Sequence, residues 1–251
     1  MGRACLAIVA CAACGRIDLD IRAHVGDALP RSDAAIDAQL AGPVHYWPLD
    51  EAVGTTTATD VIGGAVATLT GGAAFTTAGH RGNALASNNG GFAAVTATPS
   101  DLLGLSVITL SAWMQRRAPN GKEQFGQEIS PGSAELSIQA WSDGLLYFCL
   151  GRTCGTTPAG NDASWHLATF VFDGSQPTDD TKLVGYVDGV AQTLSWMYTL
   201  PVETATPVVP AHFDLGAVSD NETQDTGTID DVRVYTRALA PAEVTALFVG
   251  T

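Results

Sequence analysis

Four two-residue turn sequences lie between short apolar segments, and they constrain this chain more than any other feature. Asparagine or aspartate followed by glycine tolerates the positive φ angles that a two-residue β-hairpin turn requires. The four dipeptides are Asn120-Gly121, Asp143-Gly144, Asp173-Gly174 and Asp188-Gly189. Because such hairpins join antiparallel neighbours, they exclude a parallel α/β sheet for most of the chain.

The segments between the turns have the two-residue period of β-strands. In residues 107–114, Ile108, Leu110, Ala112 and Met114 alternate with the residues between them, and this period indicates a strand. We predict eight clear strands, at residues 44–49, 92–98, 107–114, 135–141, 145–150, 165–172, 182–187 and 229–235.

One segment near the end of the chain, residues 241–248, favours a helix. Pro241 suits the first helical position, and Val244, Leu247 and Phe248 fall on one helix face. Many short strands followed by one helix predict an all-β fold, an antiparallel two-sheet jelly-roll sandwich with a short C-terminal helix. No internal repeat is visible, so we expect a single domain over residues 43–251.

The N-terminal residues have the composition of an export signal. An apolar run at residues 4–13 follows Arg3 and ends in small residues and cysteine, which is typical of a secretory signal. The run is far shorter than the roughly 20 residues of a membrane-spanning helix. Small residues before a cysteine resemble the lipobox of bacterial lipoproteins, so we predict a signal peptide at residues 1–13 and an acylated Cys14. Cys11 is the alternative acceptor, and a buried N-terminal segment with incidental cysteines is the alternative structure.

Residues 14–42 carry mixed charge and no aromatic residue, and we predict a flexible tether. The protein is then exported and lipid-anchored to the cell envelope of a diderm bacterium, at the outer membrane or cell surface, and touches the membrane through its anchor alone. An oxidising compartment would also allow a disulfide between Cys149 and Cys154, whose spacing a tight hairpin could close. Two free buried thiols are the alternative.

Five segments follow one another in an order that is typical of a known family. They are residues 45–51 (HYWPLDE), 82–85 (GNAL), 108–113 (ITLSAW), 185–189 (GYVDG) and 227–243 (GTIDDVRVYTRALAPAE). Together they resemble LamG-like jelly-roll domains of the concanavalin A-like lectin/glucanase superfamily, and the resemblance covers residues 43–248. Residues 153–162 and 194–209 depart from the family pattern, so ligand-binding loops cannot be transferred.

The resemblance also implies a calcium site. The first and last strands of such a sandwich commonly lie side by side, and some members bind calcium at strand ends. We therefore expect a structural Ca²⁺ held by Asp60 and Asp230, with Asp50 as a weaker third ligand. In the alternative, Asp60 caps a turn and Asp230 pairs with an arginine such as Arg233.

Catalytic motifs are missing from the sequence. It contains no His-Glu-x-x-His, no Gly-x-Ser-x-Gly and no phosphate-binding loop. The resemblance implies the Glu-x-Asp-x-x-Glu pattern of the laminarinase-type hydrolases that share this fold, and Glu123 and Glu128 approach it, but they have no intervening aspartate and are predicted to flank a turn. His166 is interpreted as a strand residue and not as a general base. The sequence therefore predicts that the chain is not an enzyme.

Aromatic residues outside the expected core are the candidate ligand-binding residues. Trp141, Trp196 and Tyr198 belong to this group, and partial burial under a loop is the alternative for each. The tryptophans inside predicted strands are expected to fill the core: Trp47, Trp113 and Trp165.

The charge of the chain limits its partners. A net charge of −14 repels phosphate backbones, so we expect no nucleic-acid partner. The leading hypothesis is a non-catalytic, extracytoplasmic, lectin-like module that recognises glycans or surface proteins. The alternatives are a glycoside hydrolase or lyase on the same fold and a structural or adhesion component of the envelope.

Overall fold

The computed structural model of this chain describes residues 42–88, 90–95, 99–116, 123–128, 135–141, 143–197, 200–208, 212–216 and 227–250. Its strands form two antiparallel sheets that pack face to face around one core. This confirms the predicted two-sheet sandwich with a short C-terminal helix. The predicted signal peptide, Cys11, Cys14 and almost all of the predicted tether lie outside the described residues. None of the helices within the described ranges has the length and apolarity needed to cross a membrane.

The strands, in chain order, have the following bounds. They are β1 (His45–Trp47), β2 (Thr57–Thr59), β3 (Val66–Thr70), β4 (Ala74–Thr76), β5 (Ala84–Ser87), β6 (Phe92–Val95), β7 (Val107–Arg116), β8 (Glu123–Glu128), β9 (Glu135–Ala140), β10 (Leu146–Gly151), β11 (Thr153–Thr157), β12 (His166–Asp173), β13 (Leu183–Val187), β14 (Val190–Ala191), β15 (Ser195–Trp196), β16 (His212–Leu215) and β17 (Gly227–Tyr235). Each of the eight strands predicted from the sequence overlaps one of these.

The two sheets have different strand orders. Within the described ranges, sheet one runs β14-β13-β12-β7-β17-β5-β4, and β1 also pairs with β17. Sheet two runs β15-β11-β10-β9-β8-β16-β6-β3-β2. The pairing of β1 with β17 places the first and last strands side by side, with Tyr46 opposite Arg233.

The described residues also contain three helical segments. A 3₁₀ turn spans Ser100–Leu102, helix α1 spans Asp179–Lys182, and helix α2 spans Pro241–Gly250. Thr178 begins α1 with a capping box, in which its side chain and that of Thr181 satisfy backbone donors of the first turn. Helix α2 confirms the helix that was predicted from Pro241.

The core between the sheets is built by alternate residues of facing strands. Ile108, Leu110 and Ala112 of β7 are completely buried there, as are Phe148 of β10 and Phe170 of β12. Complete burial of one such apolar side chain stabilises the fold by about 1.5–3 kcal/mol. Trp47 lies in this core, as predicted.

The outer face of sheet one carries a second apolar cluster. Val244 and Leu247 of α2 pack there against Trp113 and Tyr235, with Trp165 partly buried beside them. The prediction that Trp113 and Trp165 fill the core between the sheets is therefore inaccurate. The reason is strand periodicity, because the neighbours of Trp113 on β7 point into the core and Trp113 points away from it.

The β10–β11 hairpin confirms the predicted disulfide. Cys149 and Cys154 lie directly opposite each other in the strand ladder, and their sulfur atoms are 2.07 Å apart. The Asp188-Gly189 turn likewise connects β13 to β14, and both of its residues have positive φ angles, 51° and 76°. The second hairpin follows from its turn dipeptide, and the first from the spacing of its two cysteines.

Candidate functional site

The outer face of sheet two differs from that of sheet one because it carries mainly polar and aromatic side chains. On β9 and β10, Leu136, Ile138, Leu146 and Phe148 point into the core, so the alternate residues point outward. The outward set is Ser137, Gln139, Trp141, Tyr147, Cys149, Cys154 and Thr156. This set forms the floor of the candidate site.

A row of hydrogen bonds fixes the side chains along β9. Trp141 Nε1 donates to Gln139 Oε1 at 2.6 Å, and Gln139 Nε2 donates to Ser137 Oγ at 2.8 Å. The rings of Trp141 and Tyr147 have centroids 5.6 Å apart and planes tilted by 41°. The Tyr147 hydroxyl donates to Asp143. Trp141 is half-buried and Asp143 is exposed, so an aromatic ring and a carboxylate are presented together.

The disulfide packs beside this aromatic pair. Cys149, Cys154 and Tyr147 form a small buried cluster that is separate from the main core, and Trp141 packs against it. Cys149 lies opposite Ser137 across the strand pair, and Gln139 lies opposite Tyr147. The bond therefore fixes the β10–β11 hairpin next to the two rings on the same face of the sheet.

A loop at residues 158–165 holds the same end of sheet two. The Asn161 side-chain amide donates to the carbonyl oxygens of Trp141 at 2.8 Å and Leu145 at 2.7 Å. Arg116 Nη2 donates to the Asn161 carbonyl oxygen at 2.9 Å. We call Trp141, Asp143, Tyr147, Asn161 and Asp162 the rim. Asn161 and Asp162 belong to the segment that departs from the family pattern.

The structure places the other predicted ligand residues elsewhere. Trp196 packs against the core between the sheets, and its Nε1 donates to Asp180 Oδ1 at 2.7 Å. It has room there because Gly155 lies opposite it, where an added Cβ would approach the Trp196 ring to 3.2 Å. Tyr198 lies outside the described residues. The ligand roles of Trp196 and Tyr198 stay predictions.

The Asp60 carboxylate is occupied by protein donors. Its Oδ1 accepts the N–H groups of Tyr46, Ile62 and Gly63 at 2.9, 3.0 and 2.8 Å, and its Oδ2 lies 2.6 Å from His45 Nδ1. Burial alone would raise the pKa of Asp60, but the hydrogen bonds from His45 and these backbone groups outweigh it and lower the pKa to about 2. This geometry is that of a turn cap.

Asp230 is buried without full compensation. Its Oδ2 accepts the N–H of Arg81 at 3.1 Å, and its Oδ1 has no hydrogen-bond partner among the described residues. Burial, followed by the charges of Asp231 and Asp50, raises the pKa of Asp230 to about 8. Arg233 pairs with Asp231, at 3.3 Å, and not with Asp230.

The carboxylates of Asp50 and Asp230 accept backbone N–H groups of the same turn, residues 81–83. Asp50 Oδ1 accepts the N–H of Asn83 at 2.9 Å, next to the segment that binds Asp230. Glu51 Oε2 is also buried without a partner within the described ranges. Buried carboxylate oxygens of this kind fit a hard cation such as calcium. However, the described residues contain no group of three or more His, Cys, Asp or Glu side chains that could hold a metal ion, so backbone carbonyls would have to complete the site.

The structure also places the two glutamates that approach the hydrolase pattern. Glu123 and Glu128 are the first and last residues of β8, inside sheet two. The prediction that they flank a turn is therefore wrong, because one continuous strand joins them. His166 begins β12 as a strand residue.

Comparison with known proteins agrees with this architecture. Residues 89–245 match the family model Laminin_G_3, described as the concanavalin A-like lectin/glucanases superfamily. A search of curated protein sequences finds no match.

Several solved structures share the fold at low sequence identity. Trypanosoma rangeli sialidase in complex with sialic acid matches 83% of this chain and 33% of its own, with 20% identity and a TM-score of 0.59. Domain 4 of AbnA, an extracellular arabinanase from Geobacillus stearothermophilus, in complex with arabinotriose, matches 82% of this chain and 97% of its own, with 17% identity and a TM-score of 0.52. The receptor-binding domain of botulinum neurotoxin mosaic serotype C/D matches 83% of this chain and 51% of its own, with 11% identity and a TM-score of 0.57.

These matches correct one prediction. The chain spans about one third of the sialidase length. Two further structures of the same sialidase match 83% and 82% of this chain. The prediction that the chain is not an enzyme is therefore wrong as an exclusion, because its fold is found within sialidases. The missing motifs exclude particular residue spacings and not glycoside hydrolysis as such.

Proposed function

Because the chain belongs to the concanavalin A-like lectin/glucanase superfamily, we propose that it binds oligosaccharides at the rim of sheet two and takes part in glycoside hydrolysis. The observation that carries the proposal is the half-buried Trp141 ring, which packs against the buried Tyr147 beside the exposed Asp143. Sugar rings stack on aromatic faces, and a few placed polar groups orient their hydroxyls. The outer face of sheet one is less suitable, since α2 packs over part of it.

The similar structures support the ligand class. The arabinanase domain, which matches over 97% of its own length, is described in complex with arabinotriose, and the sialidase in complex with sialic acid. In this chain the rim carries Asp143 and Asp162, and the net charge is −14. Like charges repel, so neutral oligosaccharides fit this rim better than acidic ones.

Hydrolysis at the rim itself is the second candidate function. The hydrogen bond from the Tyr147 hydroxyl to Asp143 favours it, because sialidases use a tyrosine nucleophile where most glycosidases use a carboxylate. In this scheme Asp143 would accept the tyrosine proton. In the first proposal, by contrast, the rim only binds the sugar, and a catalytic centre elsewhere hydrolyses it.

A binding and turnover assay on one panel tests both schemes. The panel contains arabinotriose, xylotriose, cellotriose and 3′-sialyllactose, with affinity measured by calorimetry and hydrolysis by released reducing sugar or sialic acid. We expect a neutral trisaccharide to bind, and Trp141→Ala to weaken binding at least about tenfold, which corresponds to the loss of about 1.4 kcal/mol.

Two variants serve as controls in that assay. Phe248→Ala removes a half-buried aromatic ring from helix α2 on the outer face of sheet one and should leave the affinity unchanged. Tyr147→Phe should abolish turnover if the rim is hydrolytic. Absence of both binding and turnover across the panel would contradict the proposal and favour the structural or adhesion alternative.

Calcium is proposed as a structural ion near Asp230. The unpaired Oδ1 of Asp230, with Asp50 at the same turn, supports this placement, whereas Asp60 already has protein donors. An ion that binds only the folded state raises the melting temperature by mass action. We expect EDTA to lower the melting temperature and excess Ca²⁺ to restore it, and no shift under saturating chelator would refute the site.

Export and lipid anchoring are proposed from the N-terminal sequence. The apolar residues before Cys11 and Cys14 support acylation, and the Cys149–Cys154 disulfide agrees with an oxidising compartment. In a diderm host the wild-type chain should partition into the detergent phase, and Cys14→Ala should move it to the aqueous phase. If Cys11→Ala does so instead, Cys11 is the acylated residue; partition of the wild type into the aqueous phase would contradict anchoring.

A further inference from the structure

His166 contacts two aspartates beside the rim, one through each ring nitrogen. Its Nδ1 is 2.8 Å from Asp188 Oδ2, and its Nε2 is 3.1 Å from Asp162 Oδ1. An ionised carboxylate only accepts hydrogen bonds, and a neutral imidazole has one N–H to donate. Both contacts are therefore hydrogen bonds only when the ring is an imidazolium.

The contact with Asp162 connects His166 to the loop that holds the rim. Asp162 follows Asn161, whose amide donates to the carbonyl oxygens of Trp141 and Leu145. On the other side, Asp188 lies in the β13–β14 turn and also accepts the N–H of Leu167 at 3.0 Å. The imidazolium thus joins the 158–165 loop to a turn that sheet one holds in place.

We propose that His166 is a positioning residue of the rim: its protonated ring holds Asp162, and through Asn161 the Trp141 backbone, in the arrangement that binds an oligosaccharide. This inference rests on the proposed function. A ring that has lost a proton keeps one carboxylate partner, and that partner is Asp188, whose side chain is 32% exposed against 67% for Asp162. Affinity for the oligosaccharide therefore falls as the pH rises.

The surroundings of His166 set the pH range. Asp162 and Asp188 are the charged groups that contact it within the described residues; on β7, the uncharged Met114 lies opposite it, and Arg116 donates to a carbonyl of the loop. Burial alone would lower the pKa of His166, but the hydrogen bonds to Asp188 and Asp162 outweigh it and raise the pKa above 6.5. The pKa of Asp162 is lowered, chiefly by the N–H of Ser164. The contact is therefore formed at pH values below the raised pKa and is lost as the pH rises through it.

The affinity of the rim as a function of pH tests the inference. The probe is whichever of the four named oligosaccharides binds most tightly, titrated at pH 5.5, 6.5, 7.5 and 8.5. The wild-type affinity should fall about two- to fivefold between the lowest and highest pH, as expected for one partly exposed ion pair. His166→Gln and Asp162→Asn should bind as weakly at pH 5.5 as the wild type does at pH 8.5, with no pH dependence.

A matched control separates this effect from general ionisation. Asp101→Asn removes an equivalent exposed carboxylate, which lies 3.2 Å from Nε2 of His45 on β1, and it should keep the wild-type pH dependence. Proton NMR of the His166 ring adds a reading that needs no sugar, and its pKa should fall in Asp162→Asn. A pH-independent wild-type affinity, or a wild-type pH profile in His166→Gln, would overturn the inference.

Failure of the proposed function is distinguishable from failure of this inference. If no oligosaccharide binds at any pH, the proposed function fails, and backbone amide exchange of residues 159–165 then tests the contact alone. Stronger protection in the wild type than in His166→Gln at pH 6, with equal protection at pH 8.5, supports the positioning role. Equal protection at pH 6 overturns it.

Discussion

Replacement of Asp60 by asparagine tests whether one buried carboxylate stabilises the first turn of the sandwich. The pKa of Asp60 is lowered from 3.8 to about 2, since donors from His45 and from the Tyr46, Gly63 and Ile62 backbone outweigh the effect of burial. At 1.36 kcal/mol per pKa unit, this shift corresponds to about 2 kcal/mol of folding free energy at pH 7. We expect Asp60→Asn to lose at least about 2 kcal/mol, because its amide also places N–H groups against backbone donors.

The stability that Asp60→Asn loses should depend on pH in a defined direction. An acid with a lowered folded-state pKa stabilises fully above 3.8, and the stabilisation is lost as the pH falls through about 2. The difference between wild type and Asp60→Asn should therefore shrink from pH 7 to about 1 kcal/mol at pH 3. Urea unfolding followed by tryptophan fluorescence at pH 7, 5 and 3 measures it. Asp101→Asn, which removes the exposed partner of the same histidine, should cost less than about 0.5 kcal/mol. A variant within about 0.5 kcal/mol of the wild type at pH 7, or a difference that does not shrink, would refute the reasoning.

Three further predictions concern other parts of the structure. In EDTA at pH 7, Asp230→Asn should raise the melting temperature by at least about 2 °C. The reason is that the raised pKa of Asp230 makes the free energy of unfolding fall as the pH rises from 3.8 towards 8. Scanning fluorimetry measures the melting temperature, and a decrease would contradict the prediction. Gly185→Ala should cost about 1–3 kcal/mol in urea unfolding, since an added Cβ would lie 2.5 Å from the Phe148 ring; an unchanged midpoint would show that the ring moves freely. Replacing Cys149 and Cys154 by serine should cost about 2 kcal/mol by calorimetry, because the bond closes a short loop, and the variant should remain folded by circular dichroism.

Local patterns were sufficient to predict the architecture. The two-residue period of residues 107–114 corresponds to β7, and the Asp188-Gly189 dipeptide to the β13–β14 turn. Pro241 marks the first residue of α2. These features depend on neighbours within a few residues, so the sequence contains them directly. Nine strands of the described residues were not predicted: β2, β3, β4, β5, β8, β11, β14, β15 and β16. The shortest of them, with two or three residues, carry no period, and pairing with longer strands determines them.

The candidate site was only partly predictable for the same reason. Trp141 and the Cys149–Cys154 pair were found from the sequence, and the Asp143–Tyr147 hydrogen bond could have been, since these residues flank one predicted hairpin turn. Asn161 reaches Trp141 across a different strand and a separation of 20 residues. No local pattern shows that contact.

The placement of Trp196 and of the acidic residues shows what determines exposure in such a sandwich. Trp196 was predicted as a stacking residue because nothing near it in sequence buries it, yet Gly155, which lies opposite it on β11, leaves the space that it fills. Asp60 and Asp230 were predicted to share one ion, yet His45 and backbone donors occupy Asp60 and leave Asp230 uncompensated. The environments of Trp196 and Asp60 thus depend on residues of other strands, Gly155 of β11 and His45 of β1.

The same dependence on cross-strand partners explains why missing motifs could not exclude an enzyme. A motif describes spacings along one segment, and the sequence predicted that Glu123 and Glu128 flank a turn, although they lie on one strand inside sheet two. The groups that could act on a sugar here come from a hairpin turn, two strands and a separate loop. Helix α2 packs on the outer face of sheet one, whereas the outer face of sheet two carries the polar and aromatic rows. Binding or chemistry at the rim therefore has to be tested on the side chains that the fold brings together, beginning with Trp141 and Tyr147.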